Sequence, residues 1–209
     1  MRHSHTIVVT AVLATIIVTG CEKKSVQEEA PVVAKTAPET VAKQAAIGTP
    51  GEGVVTEFTH RVEEYVALRK QLAGTLKKLP DKASPKEIDA HQRALLALVA
   101  KGRADAKQGD VFLPDMQKFV RGLIRSVLAG PDGPKIRASL MDENPTGAKI
   151  AVNDRYPDTI PMSTMPPDVL AALPKLPENL EYRFVGNRLI LLDVEAHLVV
   201  DFVENTFDV

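Results

Sequence analysis

Cysteine is nearly absent from this sequence, with one in 209 residues, at position 21. A single thiol excludes an intramolecular disulfide, a Cys-x-x-Cys zinc site and a disulfide-stapled small fold together. An excess of either charge is also missing: 26 Lys+Arg stand against 27 Asp+Glu, for a formal net charge of -1. That balance removes the basic footprint expected of a nucleic-acid binder, and the chain is not strongly acidic either. Aromatic residues reach only 4% and tryptophan is absent. The remaining composition, 44% hydrophobic and 25% charged, is nonetheless that of an ordinary globular chain and excludes disorder throughout. A run long enough to span a bilayer is lacking too. The uncharged stretch from Thr6 to Thr19 has an apolar core of about 13 residues, short of the roughly 18–20 that a transmembrane helix needs.

That short stretch nevertheless carries information. A basic start at Arg2 with His3 and His5, the uncharged segment and a small-residue ending at Gly20 together form a signal peptide over residues 1–20. The lone cysteine follows at once. Val18-Thr19-Gly20-Cys21 resembles the lipobox of bacterial lipoproteins. The resemblance implies that the Cys21 thiol is joined to diacylglycerol and becomes the new N-terminus after cleavage. The alternative is an ordinary secretory signal with an incidental cysteine. Two or more acyl chains anchor a protein stably, where one gives only marginal binding, so the resemblance implies a protein held on a membrane. Glu22 stands where an aspartate is the usual inner-membrane retention signal of enterobacterial lipoproteins, which favours the outer membrane.

Residues 22–52 mix Ala, Pro, Lys, Glu and Thr without apolar periodicity and cannot bury enough surface to offset their ordering entropy. With Cys21 they read as a tether, whose r.m.s. reach as a flexible chain is roughly 30 Å. The periodicity then changes. Val55, Phe58, Val62, Tyr65, Leu72, Leu76 and Leu79 recur in steps of three and four, broken only by Arg69, and predict a first helix running to about Lys78. Ser84-Pro85-Lys86-Glu87 combines a serine N-cap, a first-turn proline and a capping-box glutamate, so a second helix starts there. It carries Ile88, Leu95 and Leu98 on its seam and is expected to end near Gly109, the short connection implying an antiparallel helical hairpin. A third amphipathic helix begins at Pro114-Asp115, shows Met116, Phe119, Val120, Leu123, Ile124, Val127 and Leu128 on one stripe, and stops at Gly130-Pro131-Asp132-Gly133-Pro134.

The helical region (53–146) is expected to include a further short helix around Lys135 to Met141, and beyond it lies an extended, proline-rich segment with a strand expected over Ala148 to Asn153 and a helical turn or two over Pro167 to Leu173. The period drops to two at the C-terminus. Glu181 to Val185 and Arg188 to Val194 flank the two-residue hairpin signal Gly186-Asn187, and Leu198 to Val203 supplies a third strand. The fold class expected is α+β: a helical hairpin plus a third amphipathic helix, followed within residues 147–209 by a small antiparallel β-meander. A lone hairpin would be only marginally stable.

The tail carries a second resemblance. Leu176-Pro177, Tyr182 to Gly186, Leu189 to Asp193 and Leu198 to Asp201 resemble the closing hairpins of small periplasmic proteins of the nickel/cobalt-homeostasis type. Those proteins often place Gly or Asn in the second turn, where this chain has Glu195-Ala196-His197, and their histidine-rich segments are absent here. The helical part, with Met141-Asp142-Glu143-Asn144-Pro145, resembles uncharacterised bacterial envelope lipoproteins.

Chemistry-bearing residues are sparse. Beyond the leader there are three histidines, His60, His91 and His197, too few and too scattered for a metal site. Asp193, Glu195 and His197 would share one face of a continuous strand. A polar turn between two strands suits them better, since histidine tolerates positive φ. Ser163, in Pro161 to Pro166, has no G-x-S-x-G or S-x-x-K setting and reads as a loop serine rather than a nucleophile. Asp142 and Glu143 are adjacent, whereas acid/base carboxylates face each other across a substrate. Lys118, Arg121 and Arg125 form a basic stripe on the third helix, a solvated face unless an acidic partner or lipid headgroups meet it. No catalytic, cofactor-binding or metal-binding residue is therefore assigned, and Cys21 as lipid attachment is the one site residue. The sequence reads as a membrane-anchored envelope lipoprotein that binds or scaffolds another envelope protein and does not bind nucleic acid. The alternatives are a periplasmic hydrolase or cell-wall enzyme, and a metal-responsive accessory protein.

Overall fold

The computed structural model describes residues 50–143 and 149–207. The leader, Cys21 and residues 22–49 of the tether lie outside them, as do Asn144 to Ala148. Five helices precede three strands among the described residues: α1 Glu52–Ala73, α2 Pro85–Gly102, α3 Pro114–Leu128, α4 Gly133–Glu143, α5 Pro167–Ala172, β1 Leu180–Val185, β2 Arg188–Asp193 and β3 Leu198–Val203. The architecture is the α+β class read from the sequence.

Local chemistry sets most of these boundaries. At α2 the Ser84 hydroxyl accepts from the Glu87 N–H, and the Glu87 carboxylate accepts from the Ser84 N–H at 2.7 Å, completing the capping box. Pro114 and Pro167 occupy first turns, where their missing N–H costs nothing. The turn between α3 and α4 depends on Gly133, where a Cβ would lie 1.9 Å from the Leu128 carbonyl oxygen.

Several expected boundaries shift. The first helix ends at Ala73 rather than Lys78, because Thr75 N and Leu76 N bond carbonyls three residues back and tighten the last turn. The second ends at Gly102 rather than Gly109, with Arg103 at φ -121° leaving the helix. Ile88, expected on its seam, is exposed, and Leu95 and Val99 are the residues buried. Gly102 lies against Leu72 and Leu68, so α1 meets the last turn of α2. Of the expected strand over Ala148 to Asn153, Ala148 lies outside the described residues, and 149–153 form no strand. Asn153 takes φ +68°, which breaks an extended run, and the segment makes only single bonds to the outer edge of β3.

The sheet has order β1-β2-β3 with both pairs antiparallel. Val185 pairs with Arg188 across Gly186-Asn187, and Gly186 supplies the positive φ that a two-residue loop requires. Both faces are covered. Leu180, Tyr182, Phe184, Leu189, Leu191, Leu198 and Val203 join Phe58, Val62, Leu95, Val99, Val120, Leu123 and Val169 in the main core. Val185, Ile190, Leu192, Val199 and Phe202 form a smaller core with Ile150, Tyr156 and Ile160 from the proline-rich segment. That double burial explains why β2 and β3 read as nearly continuous apolar runs rather than alternating ones. Three of the few aromatics lie side by side at the helix–sheet junction: Phe58 and Phe112 have ring centroids 5.4 Å apart, and each lies within 6.5 Å of Tyr182.

One irregularity re-aims a side chain. Leu191 pairs with Asp201 and Leu192 with Val199, leaving Val200 as an extra residue on β3. The bulge breaks the alternation, so Val200 and Asp201 both face the helices.

Candidate functional site

The polar groups of the folded part gather at the junction between the helices and the β2–β3 end of the sheet. Tyr65 and Arg69 are one turn apart on α1 and project from the same face. The Tyr65 hydroxyl donates to Asp193 Oδ2 at 2.6 Å, Arg69 Nε lies 3.4 Å from the same oxygen, and Arg69 Nη1 pairs with Glu195. Asp193 Oδ1 accepts from the N–H groups of Glu195 and Ala196, each at 2.9 Å, which closes the turn after β2, and His197 ends it at φ +53°. The D-x-E-x-H residues thus form the polar turn expected of them. Asp193 is fully buried and Arg69 is 3% exposed, so the pair neutralises itself inside the protein. Burial first, and the Asp193 charge second, push the Tyr65 phenol well above its ordinary value and keep it a proton donor. This cluster ties α1 to the sheet.

A second anchor lies beside it. Asp201 Oδ1 accepts from the N–H groups of Gly109 and Phe202, and Oδ2 from those of Val111 and Phe112, all at 2.8–2.9 Å. Burial pushes its carboxyl above the ordinary value, against the pull of those four donors. Arg103 holds the same connection from the other side. It donates to Asn153 Oδ1 and the Val200 carbonyl, and its guanidinium sits 5.0 Å from the centre of the Tyr65 ring. Tyr65, Arg69, Arg103 and Asp201 were not singled out by sequence. Two of them left a signal: Arg69 as the one break in an apolar helical face, and Asp201 as the one polar residue in Leu198 to Val203.

The other residues that were singled out do not converge. Ser163 is buried, and its hydroxyl donates to the Phe184 carbonyl at 2.9 Å and accepts from the Phe184 N–H at 3.1 Å, so both its functions are committed to the edge of β1. His60 is exposed beside Glu64 on α1, His91 is half-buried on α2, and His197 meets Asp158 at 3.6 Å and the edge of the Tyr156 ring. Burial, then Arg155, hold His197 below the ordinary histidine value. Among the described residues no three His, Cys, Asp or Glu side chains converge to hold a metal ion. Lys118 and Arg125 are exposed on α3, while Arg121 leans on Gln117 and the Glu204 carbonyl. Asp142 is exposed near the end of α4. Cys21 lies outside the described residues.

The described residues also form concavities. An open cleft of about 600 Å³ lies between α1 and the α2–α3 connection, where Arg61, Lys101 and Arg103 face Glu64, Asp105 and Asp110. A more apolar groove of about 480 Å³ runs along β1, walled by Met165, Leu170, Pro174, Leu176 and Tyr182 with Lys175 at its rim. Among the described residues no helix is long and apolar enough to cross a membrane. No protein-family model, curated protein or solved structure matches the chain.

Proposed function

We propose that this chain is a bacterial envelope lipoprotein, anchored through acylated Cys21 on the periplasmic face of a membrane, with the outer membrane favoured, and that its folded part binds or scaffolds another envelope component. The observation that carries the reading is Val18-Thr19-Gly20-Cys21, with the chain's one cysteine at the end of a short uncharged leader. Two features of the fold support a binding role. The buried polar side chains Asp193, Asp201 and Ser163 are spent on internal hydrogen bonds and ion pairing, and the groove beside β1 is lined mainly by apolar side chains. Cell fractionation tests the anchor: Cys21→Ser moves the protein from the membrane to the soluble periplasm, and a variant that stays membrane-bound refutes it.

A hydrolase is the second reading, favoured by the cleft that gathers Glu64, Asp105 and Asp110. A Glu64→Gln/Asp110→Asn protein that loses function in cells while keeping its membrane location would support it over the binding reading.

A further inference from the structure

Between α1 and α2 the chain runs almost wholly in solvent. Lys77, Lys78, Leu79, Pro80, Asp81 and Lys82 are exposed in succession, and Ser84 to Ile88 are exposed again in the first turn of α2. The Ala83 N–H donates to the Pro80 carbonyl at 3.0 Å and the capping box at Ser84 follows directly, so the segment holds a defined course. Two aliphatic side chains stand out on it. Leu79 is 37% and Ile88 41% exposed, whereas Leu76, three residues earlier, packs on the main core.

The charge around these two side chains is one-sided. Lys77, Lys78, Lys82 and Lys86 are all exposed, and none forms an ion pair among the described residues. The acids nearby are mostly committed: the Glu87 carboxylate accepts from the Ser84 N–H and hydroxyl, and Asp89 pairs with Arg93 and Arg155. Asp81 alone stands against the four lysines. The basic stripe of α3 is different, because between Lys118 and Arg125 it exposes Gly122 rather than an aliphatic side chain.

We infer that residues 77–88 are a lipid-contact surface that rests on anionic phospholipid, with Leu79 and Ile88 entering the headgroup region and the four lysines meeting phosphates. Aliphatic groups flanked by unpaired lysines suit that boundary: the aliphatics leave water, the lysine stems follow them, and the ammonium groups stay at the level of the phosphates. Neither the cleft nor the groove takes a residue from 77–88, so no pocket there selects a peptide. Point charges on flexible stems fit a fluid layer of phosphates, which offers no fixed geometry. The anchor leaves the surface free to reach the bilayer, since residues 22–51 span up to about 100 Å when extended, against about 33 Å for the whole of α1. The inference rests on the membrane location proposed above and adds the face that turns toward the lipid.

The experiment places the full-length ¹⁵N-labelled chain, as cells produce it, in bicelles of phosphatidylcholine with about a quarter phosphatidylglycerol and a trace of lipid spin-labelled near the headgroup. The amide signals of Leu79, Lys82 and Ile88 should broaden at least about threefold more than those of Lys118 and Arg125. Omitting the phosphatidylglycerol should remove most of that contrast, and so should raising salt from about 0.1 M to about 1 M, which shortens the screening length from about 10 Å to about 3 Å. Lys77→Glu/Lys78→Glu should abolish it, and Leu79→Ser/Ile88→Ser should weaken it at unchanged charge, with unchanged signals elsewhere as evidence of folding. The mass of the same sample reports acylation of Cys21, so a missing anchor and a missing lipid contact give different results. Four results overturn the proposal. Broadening greatest at Lys118 and Arg125 turns α3 to the membrane, even broadening leaves the fold without a preferred face, an equal contrast in neutral bicelles removes the lysines from the contact, and no broadening leaves 77–88 in water, open to a protein partner instead.

Discussion

Replacing Asp201 by asparagine is nearly isosteric, yet it should be among the most damaging single changes in this protein. Each carboxylate oxygen accepts two backbone N–H groups, Gly109 and Phe202 on Oδ1, Val111 and Phe112 on Oδ2. An asparagine amide can offer its oxygen to one pair and must then turn its own NH₂ against the other. Asp201 is fully buried, so water cannot take over those donors. Two orphaned buried N–H groups at about 1–3 kcal/mol each give a loss of about 2–6 kcal/mol, against a typical total stability of about 5–15 kcal/mol. At roughly 2–4 °C per kcal/mol for a domain of this size, the melting temperature should fall by about 5–20 °C. Denaturant unfolding of Asp201→Asn beside Asp105→Asn, an exposed acid on the same connection, is the assay. The first should lose stability by that amount and the second by less than about 0.5 kcal/mol. Equal stability of the two variants would show that the Gly109–Phe112 connection is not held by Asp201, and that the bulge at Val200 has no stabilising role.

Three further outcomes follow from other parts of the structure. Gly133→Ala places a Cβ 1.9 Å from the Leu128 carbonyl oxygen, so the α3–α4 turn must move, and calorimetry should show a loss of about 2 kcal/mol or more; an unchanged melting temperature would contradict that turn. Arg69→Met leaves Asp193 buried without its cation and should cost about 3–5 kcal/mol in denaturant unfolding, while a loss under about 1 kcal/mol would mean that the pair is not buried as described. His197 is held below its ordinary value by burial and Arg155, against Asp158 and Asp89. The folded state therefore takes up this proton less readily than the unfolded chain, so the stability tied to neutral His197 is complete above about pH 6.5 and is lost as the pH falls from there through the folded-state value. His197→Asn keeps the positive φ and removes the titration, so it should flatten the fall in stability between pH 7 and pH 5; an unchanged slope would assign that fall to other groups.

Elements whose signals are local were legible in the sequence. The capping box at Ser84, the stripe from Met116 to Val127 and the Gly186-Asn187 turn each encode their conformation within a few residues, and each of these elements starts where expected. What was not legible depends on partners distant in sequence. Gly102 and Ala106 continue an apolar row, but Arg103 is drawn to Asn153 and to the Val200 carbonyl, and the helix ends there. Asp201 would point away from Leu191's face in a regular strand, and only the bulge turns it to the helices. Ser163 shows the same limit, because its role is set by Phe184, 21 residues away. The groove escaped notice because its walls come from Met165, α5, the 174–176 segment and β1, none of which carries a motif.

The mass of the mature protein tests the central claim most directly. Intact-mass and N-terminal peptide analysis of the membrane fraction should find the chain beginning at Cys21, with a diacylglyceryl group on the thiol and no peptide from residues 1–20. A chain cut elsewhere, or one beginning at Cys21 with an unmodified thiol, would contradict the account and leave the fold without its anchor.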